Sequence, residues 1–340
     1  MRFLEACARR PVDATPVWVM RQAGRYLPEY RAIRDKLSFI EMCKRPDVAA
    51  EVTLQPLRRF DLDAAIVFAD ILLPLEGMGI GFHFVPEGGP VIDKPVRAAA
   101  DLAGIRALDP ARDVPYLMET IKLVRRELAD SVPLIGFAGA PFTLASYVVE
   151  GGHSKDYAAI KTLIYSDPDT FDRLMRMLSD AVVAYLLAQV DAGAQALQLF
   201  DSWVGWLSPY DYERHALPYV RSVIERVKGR APLIYFANGA AGMLPLVATA
   251  GSDVVGVDWR SDLDRAWAEL GDGVAVQGNL DPVVLLGPAA AIEPRVADIL
   301  HRAGARPGHI FNLGHGVLPS TPPDNGKYLV DAVHRLSAAS

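Results

Sequence analysis

Eight short runs of this chain are almost wholly apolar and rich in β-favouring residues. They span 16–20, 64–68, 133–137, 196–200, 232–236, 254–258, 274–278 and 309–313. None alternates apolar with polar positions, a pattern that marks strands covered on both faces, as in a parallel sheet. Helical patterns fill most of the intervals. Asp167-Pro168 has the form of a helix start, with Asp as N-cap and Pro in the first turn. Leu174, Leu178, Val182 and Tyr185 then recur on one helical face. Ser208-Pro209 opens a second helix, with Asp211 at capping-box spacing. Asp281-Pro282 opens a third, and 324–340 forms a fourth. Strand and helix in eightfold alternation predict a (β/α)8 TIM barrel, with a doubly wound open sheet as the competitor. The long interval after the second strand holds 79–92, which reads as a β-hairpin turning at Gly88-Gly89. It is an insertion, so 1–340 is expected to be a single domain.

Composition narrows the function. Lys and Arg number 35 against 41 Asp and Glu, a net charge of -6. No basic excess is available for nucleic acid, and any anionic ligand needs a local arginine cluster. Cys7 and Cys43 are the two cysteines, too few for a disulfide framework and suited to a reducing cytosol. The longest apolar stretch, 181–190, is shorter than a membrane span. A cytoplasmic protein without membrane attachment is the expectation. The seven histidines show no metal spacing, and no glycine-rich piece matches a nucleotide loop, so metal and nucleotide cofactors are disfavoured.

A barrel gathers the residues that follow its strands at one mouth. Arg21 and Arg25 follow the first strand, Asp70 the second, Thr143 and Tyr147 the third, and Asp201 and Ser202 the fourth. Asn238, Asp258 and Asn279 belong to the next three, and His315 to the eighth. Two guanidinium forks suit carboxylates or phosphates. Each residue also has a plainer role. The arginines could be surface charges or strand-end salt-bridge partners, Asp70 an N-cap, Tyr147 a core aromatic, Ser202 a turn residue and His315 a solvated loop side chain.

These segments closely resemble the uroporphyrinogen decarboxylase family. The carrying motifs are PVWVMRQAGRYLPEYR at 16–31, FADILLP at 68–74, GFAGAPFTLASYVVEGG at 136–152, LFDSW at 199–203, VQGNLDP at 276–282 and FNLGHG at 311–316. The resemblance covers nearly the whole chain. Phe142 departs from it, standing where tryptophan is common. It implies a single-domain barrel, usually a homodimer, that uses no cofactor and no metal. The implied reaction decarboxylates the four acetate arms of uroporphyrinogen III to give coproporphyrinogen III. The implied substrate-binding residues are Arg21, Gln22, Ala23, Gly24, Arg25, Asp70, Tyr147, Ser202 and His315. Asp70 and Arg21 are the implied catalytic pair, with Arg21 and His315 both open as proton donors.

Two rivals carry different expectations. A corrinoid-linked methyltransferase of the same superfamily would hold zinc with cysteine in its carboxyl-terminal half, where this chain has none. A tetrapyrrole carrier without turnover would need the arginines but not Asp70.

Overall fold

The computed structural model describes residues 1–85, 88–304 and 306–338. Nine strands form among them: β1 (Ala65–Ile66), β2 (Phe82–Val85), β3 (Gly89–Ile92), β4 (Leu134–Gly139), β5 (Ala196–Asp201), β6 (Leu233–Ala237), β7 (Val254–Gly256), β8 (Ala275–Gln277) and β9 (His309–Ile310). All but β2 and β3 join one parallel sheet, ordered β1-β4-β5-β6-β7-β8-β9. The expected runs supply these strands, buried on both faces as their lack of alternation requires.

The sheet curls into the expected barrel form, and side chains inside it show the curl. Gln277 on β8 donates to Gln198 on β5 at 3.2 Å, although two strands lie between them. Trp18 donates its indole N–H to Gln277 at 2.8 Å. Groups on non-adjacent staves meet only if the sheet bends around an interior.

The run at 16–20 corrects one expectation. It lies where the eighth stave belongs but makes a single parallel bridge, Val17 to Phe311, so the regular ladder has seven strands. Side chains take the place of its ladder partners. Val17 N–H goes to Asp63 Oδ2 at 2.7 Å, Val19 N–H to Gln22 Oε1 at 2.9 Å and Met20 N–H to Asn312 Oδ1 at 2.9 Å. Pro16 has no N–H to offer.

Helix Pro168–Ala192 starts as expected, with Asp167 accepting the Thr170 N–H at 3.2 Å, and buries Leu174, Leu178, Val182 and Tyr185. Helix Pro209–His215 is capped by Ser208. The start expected at Asp281-Pro282 gives only a 3₁₀ turn, Pro282–Leu286, before helix Ala289–Ala303. Gly287-Pro288 separates the two, because proline cannot donate the next helical bond. The last helix is Pro323–Ser337, and Ala339 and Ser340 lie outside the described residues.

The hairpin is present, with β2 and β3 antiparallel and Val85 opposite Gly89. Gly88 lies in the turn as expected, Gly89 already opens β3, and Pro86 and Glu87 lie outside the described residues. Ile92 N–H reaches Gly151 O at 2.9 Å. Gly151, at φ +88°, ends helix Pro141–Glu150 in the left-handed conformation that glycine adopts without strain.

Candidate active site

Four of the expected residues, Arg25, Asp70, Tyr147 and His315, lie within electrostatic reach of Arg21. The backbone of Arg21 is left-handed, at φ +64°. Its loop is zipped to the loop after β9 on both sides of the peptide: Asn312 takes the Met20 N–H, and Val317 N–H donates to Met20 O at 2.9 Å. The Arg21 side chain then lies flat on Gly316. A Cβ at Gly316 would stand 2.8 Å from Arg21 Cγ and 2.9 Å from Nε. The glycine in the LGHG segment therefore makes room for the guanidinium.

Among the described residues neither Arg21 nor Arg25 has an ion-pair partner. That removes the plainer reading of both as strand-end salt bridges. The two cations also repel. Arg21 is exposed at the surface, yet the protein packed around its guanidinium first, and then Arg25, lower it below its usual range, while Asp70 and Tyr147 draw it back up. Guanidinium groups without a protein partner have the donor geometry to take carboxylates.

Asp70 holds Leu72 N–H at 2.8 Å through Oδ1, so part of the N-cap reading is correct. Its other oxygen has no protein partner among the described residues. The residue is half-buried. Burial pushes it up to about 6, against the Leu72 N–H and Arg21, which hold it down. It is thus mostly ionised at neutral pH.

Burial, then Asp70, push the half-buried Tyr147 phenol up to about 12. Its ring meets Trp203 edge-on at 5.8 Å. Burial, then Arg21 and Arg260, push His315 down to about 4, with Asp258 opposing. His315 is therefore neutral at pH 7. Ser202 is half-buried in the turn after β5, where Asn238 donates to its carbonyl at 3.2 Å.

The side chain of Gln22 does not enter the cleft. It is fully buried, receiving Val19 N–H and donating to Ala64 O at 3.0 Å. It ties the arginine loop to β1. Ala23 is half-buried, Gly24 is buried and Arg25 is exposed. Phe142 is core.

Two groups of residues beneath and beside the site were not assembled from the sequence. Asp201 is 1 % exposed and accepts Thr143 Oγ1 at 2.7 Å and Tyr235 OH at 2.8 Å. Burial holds it up at about 6. Thr143 also accepts Trp203 N–H at 3.3 Å, which joins the helix of Tyr147 to the turn of Ser202. After β7, Asp258 takes Gly239 N–H at 2.6 Å and Arg260 N–H at 2.9 Å. Tyr235 was hidden in an apolar strand. Arg260 had a readable signal, since it trails the end of a barrel strand as Arg21 does.

This arrangement places cations, carboxylates and neutral hydrogen-bonding groups at the carboxyl ends of barrel strands. Comparison with known proteins agrees with it. The family model described as uroporphyrinogen decarboxylase (URO-D) matches residues 1–336. The uroporphyrinogen decarboxylase of Carboxydothermus hydrogenoformans is 57 % identical over 339 residues, covering 99 % of this chain and 97 % of that protein. That of Syntrophotalea carbinolica is 56 % identical over 336 residues, covering 98 % and 97 %. Among solved structures, a methyltransferase from Methanosarcina mazei superposes with TM-score 0.84 over 98 % of this chain and 97 % of its own, at 20 % identity. That likeness concerns the fold alone. Identity above one half along nearly the full length places this chain in the uroporphyrinogen decarboxylase family.

Proposed function

We propose that this chain removes carbon dioxide from the four acetate arms of uroporphyrinogen III, giving coproporphyrinogen III. The observation that carries this reading is the pair of guanidinium groups without ion-pair partners among the described residues, with Arg21 in electrostatic reach of the half-buried, largely ionised Asp70. The whole chain, 1–340, acts as one catalytic unit.

An acetate arm cannot lose carbon dioxide unless its electron pair finds an acceptor. In this substrate the pyrrole ring supplies one. Protonation of the ring carbon beside the arm makes a cationic iminium. The bond between the arm's methylene and carboxylate carbons then breaks, and its electrons neutralise the cation. Protonation of the exocyclic methylene gives a methyl group, and loss of the ring proton restores the pyrrole. Each cycle consumes one proton and releases one carbon dioxide.

Asp70 accepts hydrogen bonds from the pyrrole N–H groups and stabilises the ring cation as it forms. A fixed charge in a poorly solvated pocket acts most strongly on the charged transition state. Arg21 and Arg25 grip carboxylate arms, together with the loop through Gln22, Ala23 and Gly24. Tyr147, Ser202 and His315 orient the substrate by hydrogen bonds. Burial lowers both Arg21 and His315, and His315, brought down to about 4, is neutral at pH 7. We therefore assign the proton transfer to Arg21.

Incubation with uroporphyrinogen under reducing conditions, with carboxyl groups counted on the products, tests the reading. Loss of four carboxyls per macrocycle is expected. Binding without carbon dioxide release would make the chain a carrier. We place the reaction in the cytoplasm. No helix of the described residues is long and apolar enough to cross a membrane. A homodimer is the working assembly, and light scattering on the full chain measures it.

A further inference from the structure

Arg260 follows β7 and has no part in the chemistry above; the 314–316 loop lies between it and the arginine loop, touching Trp259 at Gly314 and Arg21 at Gly316. Its guanidinium carbon lies 4.1 Å from the centre of the Trp259 ring. Trp259 in turn meets the His315 ring edge-on at 6.1 Å. The two loops touch closely, since a Cβ on Gly314 would stand 2.9 Å from Trp259 Cβ. Arg260, Trp259 and His315 thus form one rigid face of the mouth.

The partner of Arg260 does not use it up. Asp258 is 2 % exposed, and backbone N–H groups of Gly239 and Arg260 already satisfy its two oxygens. Arg260 adds one monodentate contact at 3.3 Å while its side chain stays 50 % exposed. Among the described residues its Nε and Nη2 have no partner. A guanidinium braced by an indole face and one carboxylate oxygen is preorganised, with two donors turned to solvent. His315 lies within electrostatic reach of both Arg21 and Arg260, whereas Asp70 is held down by Arg21.

We infer that Arg260 binds a carboxylate arm of the macrocycle that is not reacting, a propionate retained through all four cycles. The inference rests on the reading of the site given above. A macrocycle with acid arms around its whole rim presents carboxylates to Arg260 as well as to the arginine loop when its centre lies over Asp70. The arm under decarboxylation lies with Asp70 and Arg21. The arm at Arg260 is unchanged by the chemistry, so the contact is equal in ground and transition states. Such uniform binding sets KM and leaves kcat alone.

Steady-state kinetics of Arg260→Gln, with uroporphyrinogen and with its partly decarboxylated porphyrinogens, tests this. KM should rise roughly tenfold for every one of these substrates, with kcat within about twofold of the parent chain. Arg260→Lys should recover part of the loss, and the salt dependence of KM should flatten in Arg260→Gln. The site is exposed, so an unchanged melting temperature checks that the variant is folded. A KM within twofold of the parent, or a loss carried by kcat, overturns the inference. Absence of turnover by the parent chain would instead sink the proposed function.

Discussion

Asp70 shows how one residue serves two physical ends. Its Oδ1 fixes the turn after β1 through Leu72, and its second oxygen has no protein partner among the described residues. Because burial raises it from 3.8 to about 6, the ionised form is lost as pH falls through 6. The rate kcat/KM should therefore rise with pH through about 6, and Asp70→Asn should remove that limb with at least a tenfold loss of kcat. The sign for stability is opposite. A carboxyl raised in the folded state favours folding most below 3.8, and this contribution is lost as pH rises through 6. Asp70→Asn should then melt higher than the parent at pH 7, by up to about 3 kcal/mol in stability. Equal melting curves would mean that the carboxyl is well solvated. Gly316 gives a second prediction at this scale. Its backbone is open to alanine, but the added methyl meets the stem of Arg21. A flexible side chain yields easily, so Gly316→Ala should fold normally and lose tenfold or more in kcat through a displaced guanidinium. Activity within twofold of the parent would show that the position of Arg21 is not critical.

At the scale of elements, the site depends on clips between neighbouring strand ends. Thr143, one turn before Tyr147 on the same helix, gives its proton to Asp201 and accepts Trp203 N–H. It fixes helix Pro141–Glu150 to the turn that carries Ser202. Thr143→Val keeps the volume but strips one donor from a buried carboxylate, which costs about 1–3 kcal/mol. Melting should fall accordingly and kcat/KM should drop roughly tenfold. Thr143→Ser should restore both, because it keeps the hydroxyl. If valine serves as well as serine, the clip has no role in the site.

For the molecule as a whole, closing the barrel depends on one acid at its base. Asp63 accepts Val17 N–H of the eighth stave at 2.7 Å, Arg2 of the first helix at 2.9 Å and His334 of the last helix at 2.7 Å. The regular ladder leaves the first stave with a single bridge, so this carboxylate takes over part of the closure. Asp63→Ala should lower stability by on the order of 3 kcal/mol, read in a denaturant titration. The site stands at the opposite ends of the strands, and its kinetics at low temperature should be little changed. A loss under 1 kcal/mol would show that core packing closes the barrel without it.

Local pattern determined the strands, the capped helices and the hairpin, because burial on both faces, proline starts and glycine turns act over a few residues. The cluster of strand-end polar groups was equally legible, since parallel topology sends every strand's carboxyl end to one mouth. Three things were decided only by the tertiary structure. Gln22, polar and beside two site arginines, turned inward because Val19 and Ala64 lacked backbone partners. Asp201 became a clip because Thr143 and Tyr235, far apart in the chain, arrived on either side of it. The stave at 16–20 keeps a single bridge because side chains from distant segments take its Val17 and Met20 N–H groups. Hydrogen-bond partners and electric fields depend on distances in space, and these exist only once the chain has closed on itself.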